Sequence, residues 1–178
     1  MEIRQVVTGH DAQGKSVFVT DGAVTGFQPT LMPGAEFFQM WAADQPVTYP
    51  SDGSPPDTDQ YFPGVGGFRF SFFTLPPATA VTTGSIPLDM EAAVAEVEDH
   101  MPGLLAHMEP DEPGMHTTDT TDFEVVIAGE VILELDDGAQ VVLRPGDTVV
   151  QNGTRHRWRN EGDVPATLAV FMVGAHRR

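Results

Sequence analysis

The chain has 178 residues, no cysteine and a formal net charge of -17 at pH 7. This length suits one well-buried core better than two domains, so we expect a single domain over residues 1–178. The negative charge repels phosphate backbones and anionic lipids, which excludes nucleic acid and membranes as expected partners. We interpret the acidity as a property that keeps the protein soluble. Without cysteine, any metal must be held by imidazole and oxygen ligands.

The first residues of the chain carry no targeting signal. Residues 1–5 lack the basic start and the apolar run of a signal peptide, and no later stretch is long and apolar enough to span a bilayer. We therefore expect a cytoplasmic protein.

The N-terminal half, residues 1–88, predicts short strands and one long loop. Its strand candidates, bounded by Gly, Pro and Asp, are residues 3–7, 16–20, 37–42 and 68–74. The first two are separated by a turn-rich segment and predict an opening hairpin. Residues 44–67 are dense in Pro, Gly, Asp and Ser without periodicity, which is typical of a lid or a disordered segment.

A single helix is predicted over residues 89–108, because apolar residues recur there at helical spacing after a Pro-Leu-Asp start. Pro102 and Gly103 are expected to break or kink it. The C-terminal part, residues 114–174, reads as closely spaced short strands. These are residues 123–128, 131–135, 141–143, 148–150, 156–159 and 167–173. The pattern predicts an all-β sandwich or barrel with the helix packed outside it.

Side-chain alternation brings polar residues of two strands to one face. If the chain stays extended, His116, Thr118, Asp122 and Glu124 point the same way. In the later strand, His156, Trp158 and Asn160 share one face. The other face holds three cations that we expect to meet solvent, namely Arg155, Arg157 and Arg159. Two inward imidazoles and one carboxylate predict a metal site formed by His116, Asp122 and His156, which suits Fe(II) and could also hold Mn, Zn, Ni or Co.

Alternative interpretations of these residues stay open. The two histidines could instead be pocket residues hydrogen-bonded to Asp122 and Thr118. Glu124 is either a general base or spare ligand, or a carboxylate at a solvated barrel mouth. Trp158 either packs in the core or forms an apolar wall for a ligand. Asp119 is interpreted as a turn residue. No role is assigned to the remaining histidines, His10, His100, His107 and His176.

Residues 114–160 resemble the two motifs of the cupin superfamily, and the resemblance implies a jelly-roll β-barrel. In the first motif, His116 takes the place of the first histidine, Asp122 that of the glutamate and Gly129 that of the closing glycine. The residues that fit the second motif are Gly146, Gly153, His156 and Asn160. Small single-domain bacterial cupins of mostly unassigned function are the group that this chain looks most like.

The chain departs from these motifs at several positions. Thr118 replaces the second histidine, Asp122 replaces the glutamate, and Gln151 stands where the second motif has proline. The second motif is also one residue short between Gly146 and Gly153. One of the usual four metal ligands is therefore weakened or missing.

Two classes of function are consistent with the resemblance. A three-ligand metal leaves coordination positions free for a small organic substrate. Such an enzyme would carry out isomerisation, dehydration, cyclisation or decarboxylation with Glu124 as the catalytic proton-transfer group, or act as an Fe-dependent dioxygenase. The alternative is a non-catalytic barrel that binds a small molecule with weak or no metal. Thr118 and Trp158 are predicted to line the substrate pocket. A homodimer is expected, because an exposed N-terminal strand edge could pair with a partner.

Overall fold

The computed structural model describes residues 2–80 and 89–178. Strands dominate these two ranges. They are β1 (Ile3–His10), β2 (Ser16–Val24), β3 (Glu36–Ala43), β4 (Phe68–Leu75), β5 (Thr120–Ala128), β6 (Val131–Glu134), β7 (Gln140–Leu143), β8 (Thr148–Asn152), β9 (Arg157–Arg159) and β10 (Ala166–Gly174). One α-helix, α1 (Met90–His100), stands between β4 and β5. No helix within the described ranges is long and apolar enough to cross a membrane.

Two antiparallel sheets form the barrel. The larger has the strand order β3-β4-β10-β5-β8, and the smaller has the order β7-β6-β9. Their inward side chains meet in one core, to which β5 contributes Val126, β6 contributes Leu133, β7 contributes Leu143 and β10 contributes Leu168. Because sequence neighbours such as β5 and β6 lie in different sheets, the chain crosses the core repeatedly. The predicted all-β barrel with an external helix is confirmed.

The predicted strands are all present, but the predicted helix was too long. Asp89 caps α1 by accepting a hydrogen bond from the Ala92 amide at 3.1 Å. The helix ends at His100, because Pro102 cannot donate a helical hydrogen bond and Gly103 has a left-handed backbone with φ of 78°. The break was thus predicted correctly, and the continuation to residue 108 was wrong. The apolar residues beyond the break still pack, since Met101 and Leu104 join Val97 of α1 in a buried cluster.

The first two strands form an arm that is separate from the barrel sheets. Among the described residues, β1 and β2 pair only with each other, as the predicted hairpin required. The arm is attached where Ile3 packs on Phe38 and Met40 of β3, and where the Gln5 side chain donates to the Met40 carbonyl at 2.6 Å. The side chains of β2 are exposed along almost its whole length.

Gly129, which closes the first sequence motif, lies very close to the backbone at the start of β10. It has φ of 71°, and a Cβ atom there would lie 2.6 Å from the Ala166 Cα and the Pro165 carbonyl. Gly138 has a nearly identical φ of 72°, and a Cβ atom there would meet nothing within 4 Å. We expect Gly129→Ala to lower the free energy of unfolding by about 3 kcal/mol or more, and Gly138→Ala by only the left-handed strain of about 1 to 2 kcal/mol. Urea unfolding of both variants measures the difference, and equal losses would contradict the close approach at Gly129.

Candidate functional site

A cavity of about 170 Å³ opens between the two sheets, and Leu104 and Met108 from the segment after α1 also line it. The side chains around it come from β3, β4, β5, β9 and β10, and from the long loop before β4. Most are apolar or aromatic. Four titratable residues that the sequence singled out, His116, Asp122, Glu124 and His156, all line it.

The two histidines are held side by side by the backbone. His116 and His156 form an isolated antiparallel bridge, with N–H to carbonyl distances of 2.9 and 3.0 Å. Their ring centroids are 4.2 Å apart. The predicted convergence of the two imidazoles is therefore present. His116 itself lies outside β5, and isolated bridges to His156 and Met108 hold it in place.

Each imidazole is anchored through Nδ1. That atom of His116 lies 3.0 Å from the Gly114 carbonyl, and that of His156 lies 2.9 Å from the Thr154 carbonyl. Because a carbonyl oxygen only accepts, each Nδ1 carries the proton and each Nε2 keeps its lone pair. Burial lowers the pKa of both histidines, that of His156 to about 4 with a smaller contribution from His116. Both rings are thus neutral at pH 7, which is the form that binds metals.

Two carboxyl groups face the cavity from β5. Asp122 and Glu124 alternate with the exposed Phe123, so the predicted parity within this strand is confirmed. Only 6% of Glu124 is exposed, which rules out a position at a solvated barrel mouth. Burial raises the pKa of Asp122 to about 6. Burial and then the neighbouring Asp122 charge raise the pKa of Glu124 to about 8.

One oxygen of each carboxyl group has no partner. Asp122 Oδ1 and Glu124 Oε2 are buried without a hydrogen bond to any of the described residues. An unsatisfied buried acceptor costs about 1 to 3 kcal/mol, so such groups are uncommon unless a ligand, ion or water completes them. Two arginine atoms, Arg157 Nε and Arg159 Nε, are also buried without a hydrogen bond to a described residue, but only the two carboxyl oxygens belong to residues that line the cavity.

The other residues assigned to the site divide between the cavity and its surroundings. Trp158 lines the cavity and also packs against the core of the barrel. Thr118 is buried, but it does not line the cavity, and its hydroxyl is 2.8 Å from that of Thr120. Asp119 forms an ion pair with Arg177 at the surface, away from the cavity.

The three arginines of the second motif point away from the cavity. Arg155 pairs with Glu109 at 2.7 Å and also reaches Glu112 and Asp136. Arg157 and Arg159 both pair with Glu134, at 2.6 and 3.0 Å. The predicted outward direction of these side chains is confirmed, and acidic neighbours neutralise each of them.

Sequence reasoning missed part of the cavity wall. Tyr61 and Phe62 reach it from the end of the long loop, and Ser71 and Phe73 reach it from β4. Burial and the nearby Asp122 raise the pKa of Tyr61 above its usual range. The alternation of β4 could have indicated Ser71 and Phe73. The loop sequence has no periodic signal, so Tyr61 and Phe62 could not have been assigned from the pattern.

The donor chemistry of the cavity fits a divalent metal, whereas the spacing fits it only in part. Two neutral imidazoles with open Nε2 atoms and two unpartnered carboxyl oxygens are the kind of donors that Fe, Mn, Zn and Ni accept. Within residues 2–80 and 89–178, however, no three His, Asp or Glu side chains lie together closely enough to hold an ion. The two imidazoles are adjacent, but among the described residues no carboxyl group lies close enough to them to complete a three-ligand set.

Comparison with known proteins fits this architecture. The cupin domain family matches residues 104–173, which include both histidines and both carboxyl groups. The cupin-domain-containing oxidoreductase srdB of Neurospora crassa is 31% identical over 173 residues, covering 94% of this chain and 70% of that protein. The chain belongs to the cupin family. Its sheet topology is accordingly the cupin double-stranded β-helix.

Further relatives of this cupin are found in fungi. The phomopsin biosynthesis cluster protein C' of Diaporthe leptostromiformis is 31% identical over 167 residues, covering 94% of this chain and 75% of that protein. The cupin-domain-containing oxidoreductase fogC of Aspergillus ruber is 30% identical over 170 residues, covering 94% of this chain and 70% of that protein. These alignments extend well beyond the cupin motifs and include the arm, the long loop and the helix region.

Proposed function

We propose that this cupin is a metal-dependent enzyme that transforms a small organic molecule in the cavity between its sheets. One observation carries the proposal: two Nδ1-anchored neutral imidazoles and two unpartnered carboxyl oxygens face the same cavity. The names of srdB and fogC as oxidoreductases favour an oxidative reaction. Isomerisation, dehydration, cyclisation and decarboxylation would need the same proton-transfer groups.

His116, His156 and Asp122 are the proposed metal ligands. Fe, Mn, Zn or Ni bound there would polarise a substrate oxygen, and Fe or Mn could also exchange electrons with it. The Nδ1 hydrogen bonds orient both imidazoles and fix the tautomer that leaves Nε2 available.

Glu124 is the proposed catalytic acid or base. Its pKa of about 8 lies close to neutral pH, so this carboxyl group can both hold and release a proton under physiological conditions. Its burial excludes competing water, and it lines the same cavity as the proposed ligands. Trp158 supplies an apolar wall that would orient the substrate beside it.

Elemental analysis tests the proposal. In protein purified without added metal or an affinity tag, we expect about one Fe, Mn, Zn or Ni per chain, because a site of this kind binds a single ion. His156→Ala is expected to lose this metal while keeping the circular dichroism spectrum of the parent. The matched control is His176→Ala, which removes an exposed histidine outside the cavity and is expected to keep the metal.

A non-catalytic binding barrel is the second candidate function. It is favoured by the observation that three ligands are not gathered among the described residues, and by Thr118 at the position of a motif histidine. Absence of metal even after anaerobic incubation with Fe(II), or unchanged metal content in His156→Ala, would contradict the metalloenzyme proposal and favour this second one.

A further inference from the structure

The cavity has the volume of a single ring. At about 170 Å³ it slightly exceeds an engineered apolar cavity of about 150 Å³ that is known to take up benzene. A six-membered ring with one small substituent therefore fits. A larger molecule would have to leave the rest of its structure outside the cavity mouth.

Aromatic side chains surround this volume in contact with one another. In one group, Phe73 stands between Phe37 and Trp158, with centroid distances of 6.3 and 6.4 Å. In a second group, Tyr61 and Phe62 meet edge to face at 4.9 Å. The histidine pair connects the two groups, since Trp158 lies 6.2 Å from His156 and Phe62 lies 6.5 Å from His116. Walls of this kind favour the faces and edges of another aromatic ring.

The electrostatics of the cavity disfavour an anionic ligand. None of the described residues that line it is lysine or arginine, and the arginines of the second motif are paired with carboxylates elsewhere. A carboxylate or phosphate group entering the cavity would lose its hydration without gaining a cation of this chain. The acceptors Asp122 Oδ1 and Glu124 Oε2 would instead be completed by a hydroxyl hydrogen.

We infer that the ligand of this cavity presents an uncharged aromatic ring that carries a hydroxyl group. The ring packs against the aromatic side chains that line the cavity, Phe73 and Phe62 among them, and the hydroxyl donates to a carboxyl group of β5. This inference rests on the proposed function only in taking the cavity as the substrate site. In the metal-free protein, it disfavours free organic acids and phosphorylated sugars as occupants of the ring-sized part of the cavity.

The two tryptophans of the chain make the inference directly measurable. Trp158 lines the cavity, whereas Trp41 lies in a separate groove beneath the N-terminal arm. In the Trp41→Phe variant, fluorescence therefore comes from Trp158 alone and reports ring binding. The reciprocal Trp158→Phe variant keeps only Trp41 and is the matched control. Both are titrated without metal, in the presence of a chelator, so that failure to bind metal and failure to bind the ring are separate results.

The probes are benzyl alcohol and benzoate, which share a ring and differ in charge. We expect benzyl alcohol to change the Trp158 fluorescence with a Kd at least about tenfold lower than that of benzoate, because only benzoate must give up the hydration of a charge. The Trp158→Phe control is expected to show no saturable change. Equal or tighter binding of benzoate, or no response of Trp158 to benzyl alcohol up to its solubility limit, would overturn the inference.

Discussion

In metal-free protein, the Glu124→Gln variant is expected to gain thermal stability relative to the parent as the pH is raised from 4.5 to 9. Glutamine has nearly the shape of glutamate but cannot ionise. At pH 4.5 the buried carboxyl group of the parent is already protonated, since its pKa is about 8. Any difference in thermal stability between the two proteins at that pH is due only to the replacement of a neutral carboxyl group by an amide. The change of this difference with pH is due to the ionisation of Glu124.

The sign of the effect follows from the raised pKa. The ordinary pKa of a glutamate is 4.5, and burial together with Asp122 raises that of Glu124 in the folded protein. Between these values the unfolded chain releases the proton while the folded chain retains it. The stabilisation by the protonated group is therefore complete below pH 4.5 and is lost as the pH rises to about 8.

The expected size makes this effect easy to detect. A shift from 4.5 to about 8 corresponds to a free energy on the order of 5 kcal/mol, and for a chain of this length the Tm difference between variant and parent should move by about 10 to 20 °C over the pH range. Calorimetry at pH 4.5, 7 and 9 measures it. Glu130→Gln, at an exposed residue paired with Arg144, is the control and should show no such gain. A pH-independent difference for Glu124→Gln would mean that the carboxyl group ionises as freely in the folded protein as in the unfolded one.

Side-chain alternation predicted which residues face the cavity in the part of the candidate site that forms a regular strand. Asp122 and Glu124 are inward because β5 is continuous from Thr120 to Ala128. Polar residues face the interior there, and the apolar Phe123 and Ile127 are exposed, which reverses the usual pattern of a barrel strand.

Alternation was less informative where the strand stops. Between His116 and β5 the chain bends at Asp119, so the assumed continuous extension fails. Thr118 consequently bonds to Thr120 behind the cavity wall and does not line the cavity. The odd or even position of a residue along a strand also indicates only which face of the sheet its side chain occupies. It does not indicate how deep in the barrel the side chain lies. Alternation could therefore bring the imidazoles and carboxyl groups to one cavity, but it could not predict their separation.

Tertiary contacts explain the part of the site that no local pattern predicted. Tyr61 and Phe62 belong to the segment between β3 and β4, which was predicted to be a lid or disordered. The structure orders the end of this segment, with the Tyr61 amide donating to the Pro102 carbonyl at 2.9 Å. That contact depends on the helix break at Pro102. The end of the loop and the helix break are far apart in the sequence, and they stabilise each other through this hydrogen bond. Sequence periodicity describes only local structure, so it does not reveal such a contact.

Replacing Arg69 with lysine is expected to release this loop from the barrel. Arg69 is only 6% exposed and holds both ends of the loop. At the start of the loop its guanidinium donates to the Ala43 carbonyl at 3.1 Å and pairs with Asp44. At the end it donates to the Gln60 carbonyl at 2.7 Å and to the Tyr61 carbonyl at 3.2 Å. A lysine ammonium has three donors on a compact head and cannot reproduce this planar, divergent set.

The buried loop carbonyls would then lose their donors, and we expect a loss of about 3 kcal/mol or more in the free energy of unfolding. Chymotrypsin should cleave the folded variant faster than the parent at the bond between Tyr61 and Phe62, because local opening exposes this bond before global unfolding. The control is Arg4→Lys, at an exposed arginine that pairs with Asp21 in the arm, and it should change neither measurement noticeably.

The Arg69→Lys variant also connects the loop to the cavity. Tyr61 and Phe62 form one aromatic side of the proposed ring site, so loosening the loop should weaken benzyl alcohol binding in a Trp41→Phe background while Trp158 and both carboxyl groups stay in place. If cleavage accelerates and ring binding is unchanged, the loop covers the cavity without contributing to recognition. If neither changes, the guanidinium is not what holds the loop, and its other contacts, such as the hydrogen bond between Tyr61 and Pro102, are sufficient.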